Sequence, residues 1–253
     1  MYIEETRKYW STRSEGYTEC IMREYNGDAL PIWKDLLEKY MPEGNELNIL
    51  DAGCGPGFFP VVLSQAGHKV TAVDYTPEML EETEKNVNAL GRPENVTIQR
   101  GNIQALDFED NTFDMIISRN VMWTLDYPDK AYTEWLRVLK PGGAFLNFDS
   151  NFLFSLYDEE LQERYKKDEQ EAIAMGYVPE PNDHLADGMD KVLPELPGAS
   201  NNRPQWDLDF LAGLDECDKI ILDKSVYKGL VTGYRDVLDR TNRMFLIKGV
   251  KKI

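Results

Sequence analysis

A glycine-rich segment between two apolar runs is the strongest constraint that this sequence places on its fold. Residues 50–60 read LDAGCGPGFFP, with glycines at positions 53, 55 and 57. The apolar residues 47–50 predict a short buried strand, and those after the glycines predict a helix. A strand, a glycine-rich turn and a helix in this order are typical of nucleotide-binding units, because glycines let the backbone approach a ligand closely.

Strands and helices alternate along the chain as far as residue 149. This alternation predicts an α/β fold with a doubly wound, mostly parallel, seven-stranded sheet of the Rossmann-like kind. Ligands of such sheets bind beyond the carboxyl ends of the strands, so the loops that follow the strands are the candidate site. The predicted strands are 47–50, 68–74, 96–101, 113–118, 144–149, 218–223 and 244–250.

The pattern divides the chain into four segments. Residues 1–45 predict an N-terminal helical cap, and residues 46–150 form the ligand-binding core. Residues 151–205 form an acidic insert, with a helix over about 155–175, whose position at the strand ends suggests a lid. Residues 206–253 supply a last helix and the two strands that complete the sheet.

Composition excludes several classes of function. A net charge of −17 opposes binding to nucleic acid and to anionic membranes, since both carry negative charge. The sequence begins without an apolar signal run, and no window approaches the roughly 18 apolar residues of a membrane span. The three cysteines are scattered and form neither a disulfide framework nor a zinc pattern, so we expect a cytoplasmic protein without a metal. Oligomeric state stays open.

The glycine loop does not fit a dinucleotide. In the G-x-G-x-x-G pattern the third glycine would stand one place later than Gly57, where the chain has Phe58. Asp51 at the mouth of the loop would repel a pyrophosphate, but its charge suits a cationic ligand. S-adenosylmethionine carries a sulfonium and an ammonium and has no phosphate, so it fits this loop better. Asp74, at the end of the next strand, is placed to accept hydrogen bonds from a ribose diol.

Four blocks of sequence, in order, resemble the class I S-adenosylmethionine-dependent methyltransferases. They are LDAGCGPG, VDYTPEML, GNIQALDFEDNTFDMIISRNVMW and EWLRVLKPGGAFL, within residues 47–149. The resemblance implies that the glycine loop cradles the methionine part of the cofactor, that Asp74 holds the ribose, and that Tyr75 lies against the adenine. Asn102 stands where the family usually has an aspartate that bonds the adenine amino group. The full set of implied cofactor residues is Asp51, Gly53, Gly55, Gly57, Asp74, Tyr75, Asn102, Ile103, Gln104, Arg119 and Asn120.

Two regions outside the core are candidates for the methyl acceptor. One is the segment 9–19, in which Tyr9, Trp10, Arg13 and Tyr17 resemble residues that cover the cofactor in small-molecule members of the family. The alternative interpretation is a docked amphipathic helix with Trp10 and Tyr17 in the core. The other region is the insert, whose acidity favours a neutral or cationic small molecule over a polyanion.

Methyl transfer is an in-line displacement that requires alignment and exclusion of water, and a general base only where the acceptor must lose a proton. His184, in the insert, is the candidate base, whereas His68 follows a helix end and reads as structural.

The leading hypothesis is therefore a small-molecule methyltransferase that converts S-adenosylmethionine to S-adenosylhomocysteine. A nicotinamide-dependent oxidoreductase and a non-catalytic cofactor-binding module are the alternatives.

Overall fold

One seven-stranded sheet forms the centre of the molecule in the computed structural model, which describes residues 2–178, 192 and 195–253. The strand order is β3-β2-β1-β4-β5-β7-β6. The first five strands of this order are parallel, and β7 runs antiparallel to both β5 and β6. The predicted α/β fold with a mostly parallel sheet is confirmed. The strands are β1 Asn48–Ala52, β2 Lys69–Asp74, β3 Val96–Arg100, β4 Phe113–Arg119, β5 Leu139–Asp149, β6 Cys217–Asp223 and β7 Phe245–Lys251.

Helices cover both faces of this sheet. Within the described residues they are α1 Ile3–Asn26, α2 Ala29–Tyr40, α3 Phe58–Gln65, α4 Pro77–Leu90, α5 Pro128–Val138, α6 Glu159–Ala174, α7 Pro197–Ser200, α8 Gln205–Ala212 and α9 Tyr234–Leu238. Helix α4 begins with extended Thr76 at the N-cap position and Pro77 at the first position, where the fixed φ of proline suits a helix.

One predicted boundary is wrong. The predicted fifth strand is 144–149, but β5 begins at Leu139, and the segment PGG at 141–143 lies inside it. Residue Leu139 pairs with Phe113, and after a shift of register Ala144 pairs with Met115. The glycines therefore form an irregularity within one long strand, an arrangement that their backbone freedom allows.

The two faces of the sheet carry separate apolar clusters. Ile49 and Leu50 are adjacent in β1 and point to opposite faces, as the period of two in a strand requires. On one face the cluster includes Trp135 of α5, and on the other it includes Trp33 of α2 and Phe58 of α3. Because β1 is buried on both faces, the glycine loop at its end is held by a rigid base.

The connection between β6 and β7 lies at the ligand-binding edge of the sheet. Phe245, the first residue of β7, pairs with Asp149, the last residue of β5. Residues 224–244 are therefore beside the carboxyl ends of the parallel strands. This connection is far longer than the roughly two to five residues of an ordinary hairpin, so it adds a wall to that edge.

No helix in the described part of the chain is long and apolar enough to cross a membrane.

Candidate functional site

A cleft with an empty volume of about 750 Å³ lies beyond the carboxyl ends of β1, β2 and β4. The strand-end loops supply one side of the cleft, as predicted for this class of sheet. The predicted cofactor residues that line it are Gly53, Gly55, Asp74, Tyr75, Asn102, Ile103, Gln104, Arg119 and Asn120. Asp51 and Gly57 do not line the cleft.

Helix α1 covers the other side of the cleft. Ile3, Thr6, Arg7, Trp10 and Tyr17 line it. The start of the helix is fixed to the core by two hydrogen bonds. The Tyr75 hydroxyl donates to the Glu4 carboxylate at 2.8 Å, and the backbone N–H of Tyr2 donates to Asp126 at 2.8 Å. A ligand in the cleft would therefore lie between the sheet edge and this helix.

The first glycine of the loop is held in a conformation that other residues rarely adopt. Gly53 has a φ of 80°, and its N–H donates to the Val73 carbonyl at 2.8 Å. A Cβ at this position would lie 2.6 Å from Cγ2 of Val121, in the loop after β4. The absence of a side chain thus brings the loops after β1 and β4 into contact beside the cleft.

The third glycine has a different role. Gly57 has a φ of 89° and directly precedes α3. A Cβ there would lie 3.0 to 3.2 Å from atoms of Thr83 in α4. Gly57 therefore permits close packing of two helices, and its predicted direct contact with a ligand is not supported by the lining of the cleft.

We expect Gly53→Ala to weaken binding of S-adenosylhomocysteine by roughly tenfold or more, because the strain of about 1–3 kcal/mol at a positive φ combines with displacement of Val121. Gly67→Ala is the matched control. Gly67 also has a positive φ, of 96°, but its Cβ would meet nothing within 4 Å. Calorimetry should show near-normal affinity for the control, and equal losses in both variants would contradict this role of Gly53.

Asp51 lies beneath the glycine loop. The residue is 1% exposed, and its Oδ2 has no hydrogen-bond partner. Burial raises the pKa of this carboxyl well above its usual range, and the charge of nearby Asp74 adds to the rise while Arg119 opposes it. A buried acceptor without a partner beside the cleft fits a ligand that brings a cation or a donor.

The Asp74 carboxylate already accepts hydrogen bonds from the protein backbone. It accepts from the backbone N–H of Gly55 at 2.9 Å and from that of Thr76 at 2.8 Å. Burial raises the pKa of Asp74, and these hydrogen bonds oppose the rise. The Thr76 hydroxyl and the backbone N–H of Tyr75 also donate to this carboxylate and lower its pKa. The carboxylate therefore orders the glycine loop and the start of α4 while it lines the cleft.

The loop after β3 differs from its prediction in one detail. Asn102 was expected to accept through its side-chain oxygen, but that oxygen already accepts from the N–H of Gln104 at 3.0 Å and from its side-chain amide at 3.2 Å. What Asn102 presents to a ligand is therefore its amide donor. The oxygen of the Gln104 side chain accepts from the N–H of Tyr127 at 2.6 Å. Ile103 is buried beside them and lines the cleft.

Arg119 is enclosed and is not a surface charge. Its side chain is 7% exposed and pairs with Glu24 at 2.6 Å. The guanidinium carbon lies 5.1 Å from the centroid of Trp33 and 4.9 Å from that of Phe58. Burial opposes its charge, but Glu24 and its other neighbours raise the pKa of Arg119 overall. A fixed cation with three stacked or paired neighbours is well suited to orient a ligand in the cleft.

The structure places two of the four predicted acceptor-binding residues on the wall of the cleft and two away from it. Trp10 and Tyr17 line the cleft, whereas Tyr9 and Arg13 are not among its lining residues. Tyr9 is 5% exposed and packs edge-on against Trp10 at 5.1 Å, with the Arg13 guanidinium 4.7 Å from its ring centroid. Tyr9 is therefore a core residue of the helix, whereas Trp10 and Tyr17, which the alternative interpretation placed in the core, line the cleft.

The two histidines are not equivalent. His68 is buried, and its Nδ1 accepts from the N–H of Leu47 at 3.2 Å. Its structural interpretation agrees with this contact. His184, the candidate base, lies outside the described residues.

A second cavity, missed by the sequence reasoning, adjoins the cleft. Its empty volume is about 1790 Å³, and it is lined by the turn between α1 and α2, by Ser150 and Phe152, and by residues of the segment 227–244. Tyr17 and Asn120 line both spaces. The length of the connection between the last two predicted strands was the signal in the sequence that could have revealed this wall.

Comparisons with known proteins agree with this geometry. Residues 50–147 match a family model described as a methyltransferase domain. A malonyl-(acyl-carrier protein) O-methyltransferase from Erwinia pyrifoliae is 41% identical over 112 residues, which cover 44% of this chain and 40% of that protein. A ubiquinone/menaquinone biosynthesis C-methyltransferase from a Ruegeria species is 34% identical over 134 residues, or 50% of this chain and 54% of that protein. The chain spans about half the length, or less, of these relatives.

The fold extends beyond the matched segment. The crystal structure of geranyl diphosphate C-methyltransferase from Streptomyces coelicolor, in complex with Mg²⁺, geranyl diphosphate and S-adenosyl-L-homocysteine, superposes with a TM-score of 0.64. The superposition covers 99% of this chain and 98% of that chain at 14% sequence identity, so the similarity is one of fold.

A mostly parallel sheet with a glycine loop and carboxylates at its strand ends is typical of α/β proteins that bind nucleosides. The family model and the relatives indicate which kind of protein this one resembles, because residues 50–147 match a methyltransferase domain and both relatives are methyltransferases. The predicted resemblance to the class I S-adenosylmethionine-dependent methyltransferases is therefore confirmed for residues 50–147.

Proposed function

We propose that this protein transfers a methyl group from S-adenosylmethionine to a neutral or cationic small molecule by in-line displacement. The observation that carries the proposal is the combination of Gly53, at a positive φ, and Asp74, which both line the cleft, with the buried carboxyl of Asp51 beneath the glycine loop. An acidic glycine loop of this kind favours a cationic donor and disfavours a pyrophosphate.

Each part of the cleft has chemistry that suits one part of this cofactor, whose sulfonium supplies an activated methyl group. The buried Oδ2 of Asp51 lacks a partner and would complement positive charge. The Asp74 carboxylate, which lines the cleft, would accept from the ribose hydroxyls. Ile103 and the Tyr75 ring provide apolar surface for an adenine, and Asn102 provides an amide donor at its edge.

The cation Arg119 would orient the methionine end of the cofactor. Its guanidinium is fixed by Glu24 and by the rings of Trp33 and Phe58, so it requires little ordering when a carboxylate binds. Asn120 follows it at a φ of 58°, which turns the chain at the boundary between the two cavities. Helix α1 would exclude water from above the cleft.

The acceptor class has support from the relatives. One acts on malonyl-(acyl-carrier protein), and the other belongs to ubiquinone and menaquinone biosynthesis. Neither name indicates a nucleic acid, and the net charge of −17 here opposes one. We infer a small organic acceptor that reaches the methyl group past Tyr17 and Asn120, which line both cavities.

Calorimetry with S-adenosylhomocysteine and with NAD tests the cofactor. We expect S-adenosylhomocysteine to bind with a dissociation constant of roughly micromolar magnitude and NAD to give no measurable heat. Tight binding of NAD without binding of S-adenosylhomocysteine would replace this proposal with an oxidoreductase. Incubation with S-adenosylmethionine labelled in its methyl group and a small-molecule extract then tests transfer. Binding without transfer of label to any molecule would indicate a non-catalytic module.

A further inference from the structure

The loop after β3 lies beside the carboxylate that would hold the ribose. The backbone N–H of Gly101 donates to the Asp74 carbonyl at 3.0 Å, and Asn102 is the next residue along the chain. Asn102, Ile103 and the Tyr75 ring line the same cleft as Asp74. A nucleoside held by Asp74 would therefore place its base against these three residues, which we call the base pocket.

Two backbone N–H groups fix the direction in which the side-chain amides of this loop point. The N–H of Gln104 donates to Oδ1 of Asn102 at 3.0 Å, and the N–H of Tyr127 donates to Oε1 of Gln104 at 2.6 Å. Because a backbone N–H can only donate, the atoms that it meets must be the two amide oxygens. The side-chain nitrogen of Gln104 also donates to Oδ1 of Asn102, at 3.2 Å. The atom that Asn102 has left for a ligand is therefore its amide nitrogen, which is a donor.

The turn that carries Asn102 resists rotation of this amide. The N–H of Ala105 donates to the Asn102 carbonyl at 2.9 Å, and the two residues pair as a short antiparallel bridge. Gln104 is buried, so its donors have few other partners. Rotation of the Asn102 amide would bring its NH₂ group against these donors and break both hydrogen bonds to its oxygen, which is costly for buried groups.

Two other side-chain acceptors on the wall of the cleft are occupied or enclosed. Oδ1 of Asp126 accepts from the N–H of Tyr2 at 2.8 Å, and Oδ2 of Asp126 is buried within the protein. Oε1 of Gln104 is directed to the N–H of Tyr127. Neither side chain therefore supplies an open acceptor that would select an amino group on a base.

We propose that Asn102 sets the base specificity of this protein, so that the site recognises an acceptor atom on the edge of the purine and does not select the 6-amino group of adenine. This inference rests on the proposed function. The amide donor can bond to ring nitrogen N1 of adenine or to the exocyclic oxygen of a 6-oxo purine, since both atoms are acceptors. S-adenosylhomocysteine and S-inosylhomocysteine, in which an oxygen replaces the amino group, would therefore bind with similar affinity.

Calorimetry with three ligands tests the unsubstituted protein. They are S-adenosylhomocysteine, S-inosylhomocysteine and the 1-deaza analogue of S-adenosylhomocysteine, in which a C–H group replaces ring nitrogen N1. We expect the first two to differ by about threefold or less and the third to bind roughly tenfold more weakly, because it leaves the Asn102 donor unpaired. A tenfold preference for S-adenosylhomocysteine over S-inosylhomocysteine, or equal binding of the 1-deaza analogue, would overturn the inference. Failure of all three ligands to bind would refute the proposed function itself.

Asn102→Asp exchanges the donor for an acceptor at nearly constant shape. One carboxylate oxygen keeps the two hydrogen bonds from Gln104, and the other oxygen takes the place of the amide nitrogen. We expect this variant to prefer S-adenosylhomocysteine over S-inosylhomocysteine by roughly tenfold or more, because its carboxylate accepts from the amino group and repels the exocyclic oxygen. Asn111→Asp is the matched control. Asn111 is exposed, and its Oδ1 accepts from Lys251 at 2.8 Å, a contact that an aspartate retains. The control should keep the ligand preferences of the original protein, and unchanged preferences in a folded Asn102→Asp would contradict the proposal.

Asn102→Ala provides a second variant that does not depend on how the pocket tolerates a carboxylate. It removes the donor, so the 1-deaza analogue and S-adenosylhomocysteine should bind this variant with affinities within about threefold of each other. Thermal unfolding confirms that each variant is folded. A tenfold difference between these two ligands that persists in Asn102→Ala would show that another group recognises ring nitrogen N1, and the inference would fail.

Discussion

Replacement of Arg203 by methionine is expected to lower the free energy of unfolding by about 3–5 kcal/mol, the range for breaking a buried ion pair on one side. The Arg203 side chain is 1% exposed. It contacts Asp149 at 2.7 Å and Asp207 at 2.8 Å, and both carboxylates are fully buried. The substitution leaves two desolvated carboxylates without their cation, so the loss is large although methionine fills similar space.

Arg164→Met is the matched control, because Arg164 lies on the exposed side of α6. Chemical denaturation should show a change within about 0.5 kcal/mol for this variant, as for surface substitutions in general. A small loss in both variants would mean that Asp149 and Asp207 are neutralised in another way.

The same network reaches the cofactor cleft. Oδ2 of Asp149, which binds Arg203, also accepts from the backbone N–H of Met122 at 3.0 Å. Met122 follows Val121, which contacts the space above Gly53. The end of the insert thus fixes the loop after β4 through a buried carboxylate, and we expect Arg203→Met to weaken binding of S-adenosylhomocysteine as well as stability.

The sequence predicted the core well because its signals are local. Apolar runs of strand length and the glycine turn each act within a few residues, and each formed the expected element. The mostly parallel sheet followed from the alternation of strands and helices, since parallel neighbours need a crossover connection, whereas the order of the strands required the structure. The positions of Gly53 and Asp74 in the cleft followed in turn from the ends of their strands.

What the sequence could not show depends on contacts between distant residues. Arg203 meets Asp149 across 54 positions of sequence, and Tyr132 donates to Asp207 across 75. The second cavity is lined by separate segments that share no pattern, among them the turn after α1, the residues after β5 and the connection before β7. The sequence also could not show that Trp10 lines the cleft whereas Tyr9 does not. Both are adjacent aromatic residues of one helix, and their positions do not indicate which of them faces the cleft.

Asp51→Asn should weaken cofactor binding without lowering the stability of the protein. We expect affinity for S-adenosylhomocysteine to fall roughly tenfold or more, because the buried carboxylate is placed to complement the cationic end of that ligand. Asp107→Asn, on the exposed loop after β3, makes the same change in net charge away from the cleft and should bind normally. Titration calorimetry measures both affinities, and a normal value for Asp51→Asn would contradict this role.

The unliganded stability of Asp51→Asn should change in the opposite direction to its affinity. Burial raises the pKa of Asp51, so the folded state holds a proton more tightly than the unfolded state does. This contribution to stability is complete below the unfolded pKa and is lost as the pH rises through the folded pKa. The variant carries no such loss, and at pH 7 its unfolding free energy should equal or exceed that of the original protein.

A cationic ligand favours the ionised carboxylate, so affinity for S-adenosylhomocysteine should rise with pH in the original protein. That rise should be reduced in Asp51→Asn, with Asp74 as the remaining buried carboxyl, and the same slope in both proteins would show that Asp51 does not face the ligand's charge.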